Sequence, residues 1–257
     1  MDRMLTMNRR ISRRAWLTSV PVVGGLLLSA GCSRERFVPP VVRGGLIGAA
    51  DVLTMSTNRL LLSGQQLARE YALGDVADPF PTWNQTNPRN AEYQLHASEG
   101  FKNWRLPISG LVARPRELSL DEIRSLPART QITAHVCEQG WSAIGEWTGA
   151  PLQLVLEAAG GVTPAARYVV IDTFDGWYEG YDLFEVAHAQ TILAYGLNRR
   201  DLPRGNGWPL RLRVERQCGY KNLKFLKSIR VVDSMAGIGK GTGGTNSDFG
   251  FHWYAGV

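Results

Sequence analysis

The run His135-Val136-Cys137-Glu138-Gln139-Gly140-Trp141-Ser142-Ala143-Ile144-Gly145-Glu146-Trp147-Thr148-Gly149 decides how this chain is read. From Thr130 to Val136 the residues alternate in the manner of a strand with one buried face. Cys137 therefore stands at a strand's end. It is one of only three cysteines in 257 residues, so its role can be argued almost alone. Aromatics and glycines surround it, far from either end of the chain. His135 lies two positions back, and on an extended strand residues two apart share a face.

Short elements are expected on either side. Trp104 to Val112 reads as a strand. Ser119-Leu120-Asp121-Glu122 opens a short helix, with a serine cap and acidic residues in the first turn. Pro151 to Ala159 reads as a helix opened by proline and stopped by Gly160-Gly161. Arg167 to Thr173, Leu210 to Val214 and Phe225 to Val232 read as strands, and Asp182 to Ala187 as a short helix. Further out, Val52, Leu53, Leu60, Leu61 and Leu67 recur at helical spacing within 51–72. Segment 74–100 is rich in turn signals, and a long irregular segment suits a site better than a core. Asp175 to Tyr181 is aromatic for a loop. With Asp172, Asp175, Tyr178 and Glu179 it reads either as the rim of an entrance or as plain loop polarity. The glycine-rich tail from Gly237 to Gly250 is expected to be irregular, with Phe251 to Tyr254 packing back on the body. Short strands between short helices, with few crossover helices, argue an α+β fold with mixed sheets rather than a doubly wound one.

The N-terminus reads as an export signal. Five arginines precede a largely apolar stretch of 16 residues, Ala15 to Ala30, and small residues then lead to Cys32. That stretch is short for a membrane span and holds a proline and two glycines. Ser12-Arg13-Arg14-Ala15-Trp16-Leu17 is a twin-arginine pattern, which implies the twin-arginine translocase as a partner during export and the periplasm as destination. Gly31-Cys32 resembles a lipoprotein site, so Cys32 is a candidate lipid anchor that would tether the protein to a membrane. Residues 1–32 are read as the signal, 33–50 as a tether and 51–257 as one catalytic domain. Without 1–32, five arginines and one aspartate disappear and the net charge falls from +6 to +2. The basic balance is thus mostly targeting, and no nucleic-acid partner is expected.

Three chemistries compete for Cys137. A cysteine-dependent hydrolase would pair it with His135 as base. A zinc or iron–sulfur centre would need several Cys or His at short spacing, and the chain has no Cys-x-x-Cys and only four histidines. A single thiolate on a metal whose other ligands belong to an organic cofactor needs no cluster. A non-catalytic exported binding protein, with Cys137 an inert core residue or half of a disulfide with Cys218, also remains open.

A resemblance adds to this reading. Val136 to Gly149 is similar to the core signature of the sulfite oxidase-type molybdopterin oxidoreductases, and in particular of their small exported branch. Phe80 to Pro88, Trp104-Arg105-Leu106-Pro107, Leu193 to Asn198 and Gly219-Tyr220-Lys221 resemble further blocks of that family in the same order. The resemblance implies a sulfite oxidase-like molybdopterin-binding fold and a molybdenum–molybdopterin cofactor (Mo-MPT). It implies oxygen-atom transfer or a related two-electron reaction. Carried over, Cys137 matches the molybdenum ligand and Thr173 a residue lining the cofactor. Asn206 and Arg211 match residues that hold the pterin. Asn222, Leu223 and Lys224 match the segment at the phosphate end, and Asn87 and Asn90 an early cofactor-binding segment. His135 would floor the pocket. No haem motif is encoded, so a separate membrane or periplasmic electron carrier is expected. Two departures stand out. Cys218 replaces an aromatic, and Phe174 to Gly180 replaces a proline-rich loop.

Overall fold

The computed structural model describes residues 45–61 and 66–257. The expected export signal, Cys32 and the tether as far as residue 44 lie outside the described residues. Among the described residues the first helix, α1 (Gly45–Leu61), begins inside the segment read as tether. A second, α2 (Ala91–Ser98), stands within the turn-rich segment, because the Asn90 side chain caps it by accepting from the Tyr93 N–H at 3.0 Å. Then come β1 (Arg105–Gly110), β2 (Arg116–Ser119) and α3 (Leu120–Ser125). The start of α3 is the expected capping box. Ser119 Oγ accepts from the Glu122 N–H at 3.1 Å, and Glu122 accepts from the Ser119 N–H at 2.7 Å.

The Cys137 region is a hairpin of β3 (Arg129–Val136) and β4 (Ser142–Pro151), followed by α4 (Leu152–Ala158). The chain continues through β5 (Tyr168–Thr173), β6 (Tyr178–Asp182), α5 (Leu183–Val186), β7 (Ile192–Leu197) and β8 (Arg200–Asp201). It closes with β9 (Arg211–Arg213), β10 (Leu226–Val232) and α6 (Thr245–Asp248), the last inside the tail expected to be irregular.

Among the described residues two five-stranded sheets result. One has the order β2-β1-β10-β5-β6, with β1 and β10 parallel and the other pairs antiparallel. The other has the order β3-β4-β7-β8, with β9 also on β7. The fold is α+β with mixed pairing and short helices, as the element pattern predicts. Leu106, Ile108, Val169, Ile171, Leu193, Leu212 and Ile229 meet in the main core. Both faces of β5 are covered: Val169 and Ile171 turn into that core, while Tyr168 and Val170 pack with Met55, Met235, Trp253 and Tyr254. The aromatic end of the chain does pack back on the body. β7 is likewise split, with Leu193 in the main core and Ile192 and Ala194 beside Phe80 and Trp147. Strands buried on both faces do not alternate. That is why β7 carries no strand signal of its own.

No helix among the described residues is long and apolar enough to cross a membrane.

Candidate active site

Cys137 lies just past the end of β3 and is buried, 7% exposed. A tight turn holds it: its N–H donates to Trp141 O at 2.9 Å, and its carbonyl accepts from the Gly140 N–H at 3.2 Å. Glu138 Oε2 is 3.6 Å from its sulfur. Burial, more than any neighbour, pushes the thiol above its ordinary range. Cys137 and Cys218 are both free thiols. The turn Gly219–Lys221 closes against this segment. A Cβ on Gly219 would stand 2.9 Å from His135 Nε2 and 3.1 Å from Cys137 Cα, so only glycine lets the two main chains approach.

His135 is fixed by Arg213, whose Nη1 donates to His135 Nδ1 at 2.8 Å. The remaining proton of the neutral ring is therefore on Nε2. Burial, reinforced by the cationic Arg211 and Arg213, drives the imidazole far below its usual range. Arg213 is forked onto Glu215 at 2.9 and 2.5 Å and lies over the Trp147 ring at 4.4 Å. His135 is thus a rigid neutral wall. A ring whose free lone pair is occupied by a guanidinium cannot take a thiol's proton, which counts against the hydrolase reading.

One cleft joins Cys137 and His135 with Asn206, Arg211, Asn222, Leu223 and Lys224. Arg211 is carried by β9 and buried. Its Nη1 donates to Asn206 O at 3.2 Å, but its buried Nε has no hydrogen-bond partner. Burial, with Arg213 close by, pulls Arg211 down to about 9. Lys224 Nζ donates to Trp83 O at 2.7 Å, to Gly205 O at 3.3 Å and to Gln85 O. Burial first and Arg211 second pull it down to about 8. Asn206 Nδ2 donates to Pro81 O at 3.2 Å. Lys224 and Asn206 together thus bind the strap 80–88 across the cleft by its carbonyls. Asn222 spends its side chain on the main chain, accepting from the Val214 N–H at 2.8 Å and donating to Cys218 O at 3.1 Å. It shapes the loop that presents Leu223 and Lys224.

The other candidates lie outside this wall. Thr173 accepts from the Trp177 N–H at 3.0 Å, and its hydroxyl donates to Asp175 Oδ1 at 2.5 Å. It buttresses Asp175, which does face the cleft and whose carboxyl burial pushes up. Asn87 is exposed and accepts from Gln94 Nε2 at 2.8 Å, while Asn90 is the α2 cap. Of the four rim candidates only Asp175 lines the cleft. Glu179 is instead fully buried in β6, paired with Lys221 Nζ at 2.7 Å and accepting from Asn246 Nδ2 at 2.9 Å. Asp172 accepts from Ser228 Oγ at 3.0 Å, and Tyr178 donates to Asp248.

Trp83, Asn84, Glu138, Trp141, Trp177, Tyr220 and Asn246 also line the cleft. The turn signals at 79–88 announced the strap; nothing local announced Asn246, which the buried Glu179 brings there from the tail.

Among the described residues no group of three or more His, Cys, Asp or Glu could hold a metal ion. A metal at Cys137 would take its remaining ligands from another molecule. The unpaired Arg211 Nε and the buried Trp141 Nε1, also without a partner, offer donors to such a molecule. The cationic inner wall suits an anionic end.

The family described as oxidoreductase molybdopterin binding domain matches residues 93–237, more than half the chain. A protein of Azospira oryzae named as a protein-methionine-sulfoxide reductase subunit, YedZ1, is 32% identical over 245 residues, covering 95% of this chain and 88% of that one. The protein-methionine-sulfoxide reductase catalytic subunit MsrP of Xanthomonas campestris is 34% identical over 168 residues, 59% of this chain and 51% of its own length. The Campylobacter jejuni MsrP is 29% identical over 189 residues, 67% and 61% respectively. The chain thus spans about half to three-fifths of the length of these two MsrP proteins. It belongs to the molybdopterin-binding oxidoreductases of the sulfite oxidase type, on the side of the MsrP-like catalytic subunits, and is a molybdenum-dependent enzyme.

Proposed function

We propose that Cys137 ligates the molybdenum of a molybdopterin bound in this cleft, and that the enzyme removes oxygen from an uncharged S-oxide or N-oxide. When bound, the cofactor supplies two-electron redox chemistry at its metal. The observation that carries the reading is the convergence of Cys137, Asn206, Arg211 and Lys224 on one cleft with a buried guanidinium nitrogen left to pair. Arg211, through its unpaired Nε, would meet the phosphate end, with Lys224 contributing its charge while its N–H groups hold the strap, and the Asn206 side chain would meet the amide-like edge of the pterin. His135, locked neutral by Arg213, would floor the site without competing for protons.

The remaining lining favours an uncharged substrate. Trp83, Trp141, Trp177 and Tyr220 give apolar surface, and Glu138 and Asp175 repel anions such as sulfite. Asp175 faces the same space, and burial pushes its carboxyl up. The names of the MsrP relatives point the same way, towards the sulfoxide of a methionine side chain. Export through the twin-arginine route and electron supply by a separate periplasmic or membrane carrier complete the proposal.

Elemental analysis of the exported protein tests it. Wild type is expected to carry about one molybdenum per chain, and Cys137→Ser at least ~10-fold less, since the thiolate is the protein's own bond to the metal. Molybdenum absent from wild type would overturn the cofactor, and equal loading of both proteins would overturn the ligand.

A further inference from the structure

Helix α1 is built inside out. Its only charged residues, Asp51 and Arg59, both face the body of the protein. Asp51 pairs with His252 at 2.7 Å, and Arg59 pairs with Asp182 and lies 4.2 Å over the Phe184 ring. Met55 between them is fully buried. The leucines point the other way: Leu46 is 91% exposed, Leu53 68%, Leu60 56% and Leu61 71%. With Ala49, Ala50, Thr54 and Thr57 they form an outward face that carries no charge. Leaving several large aliphatic side chains in water on one helix has a cost that a covering surface removes.

We infer that this face of α1 lies on a lipid bilayer, at the boundary between headgroups and acyl chains. A free interfacial helix turns a polar face to water and an apolar face to lipid. Here the protein body takes the place of the water. The connection supports this occupant. Only the 12 residues 33–44 separate Gly45 from Cys32, and the apolar stretch Ala15 to Ala30 lies just before. Twelve residues reach at most about 40 Å, so any anchoring of that region holds α1 close to the membrane. A second copy fits less well. Leu46, Ala50, Leu53, Thr57 and Leu60 do follow heptad spacing, but one 17-residue seam about 25 Å long buries far less than the ~800 Å² per partner of a stable interface. No charged flanks are present to fix a register. A fluid bilayer needs neither area matching nor register.

The inference does not depend on what the cleft binds, and molybdenum content monitors that separately. The full chain would be floated with phosphatidylcholine vesicles, in low and high salt, as wild type, as Leu53→Ala with Leu60→Ala, and as Leu53→Glu with Leu60→Glu. Wild type is expected to float in both salts, because the face is uncharged. The alanine pair should lower the bound-to-free ratio about 10-fold and the glutamate pair about 100-fold, with metal loading unchanged in all three. Equal flotation of all three would assign binding to another segment and overturn the inference. So would a wild type that does not float. Sedimentation velocity supplies a further arm: a wild-type dimer that the alanine pair converts to monomer would make a second copy the occupant instead.

Discussion

Lys224 shows how much a single residue here depends on what surrounds it. Its ammonium is satisfied by three main-chain carbonyls, yet it lies beside the Arg211 guanidinium and is largely buried. Its pKa falls from an ordinary 10.5 to about 8 in the folded chain. Between those values the unfolded chain holds the proton more tightly than the folded one, so stability rises with pH across that window. In cofactor-free protein, the melting temperature of wild type should therefore rise relative to Lys224→Met from pH 8 towards pH 10; parallel profiles would contradict the assignment. Residues of this kind are legible through the resemblance to the family and not from type and spacing, since a guanidinium or ammonium taken alone suits a solvated surface as well as a ligand. The fold gathers Cys137, Asn206, Arg211 and Lys224 on one cleft. Thr173, Asn87 and Asn90, carried over in the same way, lie outside it, because Ser, Thr and Asn hydrogen-bond their own neighbourhood as readily as a ligand. Here they cap a helix or buttress a turn.

Among the elements, the β3–β4 hairpin and the Gly219–Lys221 turn do the positioning. The turn sits so close that one added methyl would meet His135 Nε2 at 2.9 Å, Val136 O at 3.0 Å and Cys137 Cα at 3.1 Å. None of these is the end of a long flexible side chain. Gly219→Ala is expected to shift the cysteine segment, cost about 1–3 kcal/mol in urea unfolding and lower molybdenum retention several-fold. Unchanged loading would show that the segment has room. Strands and helices with one exposed face were readable: β3 alternates and α3 announces its cap. β5, packed on both faces, is still marked by its β-branched run Val169, Val170 and Ile171, whereas β4 and β7 carry glycine and alanine in place of such a run and lose both the period and that mark. The residues of β6 read as an entrance rim or as plain loop polarity, because Asp175 to Tyr181 mixes aromatic and acidic residues without a clean strand period. The unreadable fact was that Lys221, 42 positions later, supplies the charge that lets Glu179 sink into the core.

At the scale of the whole molecule, that pair fastens three distant parts together: β6, the 219–221 turn and the tail, through Asn246. Lys221→Met would leave a fully buried carboxylate with amide donors alone. It should cost about 3–5 kcal/mol by urea unfolding, with most of the loss recovered by adding Glu179→Gln. Failure of the second change to rescue would mean the lysine acts through packing rather than charge. Helix α1 marks the other limit of sequence reading. Its periodicity says that one face is apolar, and the ordinary assumption turns that face inward. Only the placement of Asp182 and His252 reveals that the two charges are the inward ones. The strap 80–88 carries a different consequence. Lys224 and Asn206 grip it by the carbonyls of Pro81, Trp83 and Gln85, groups that every amino acid possesses. Its fastening is therefore indifferent to spelling. Trp83, half exposed at the cleft, can be exchanged over evolutionary or laboratory time without undoing the clasp, which makes this short stretch the natural place for new specificities to arise on an unchanged chassis.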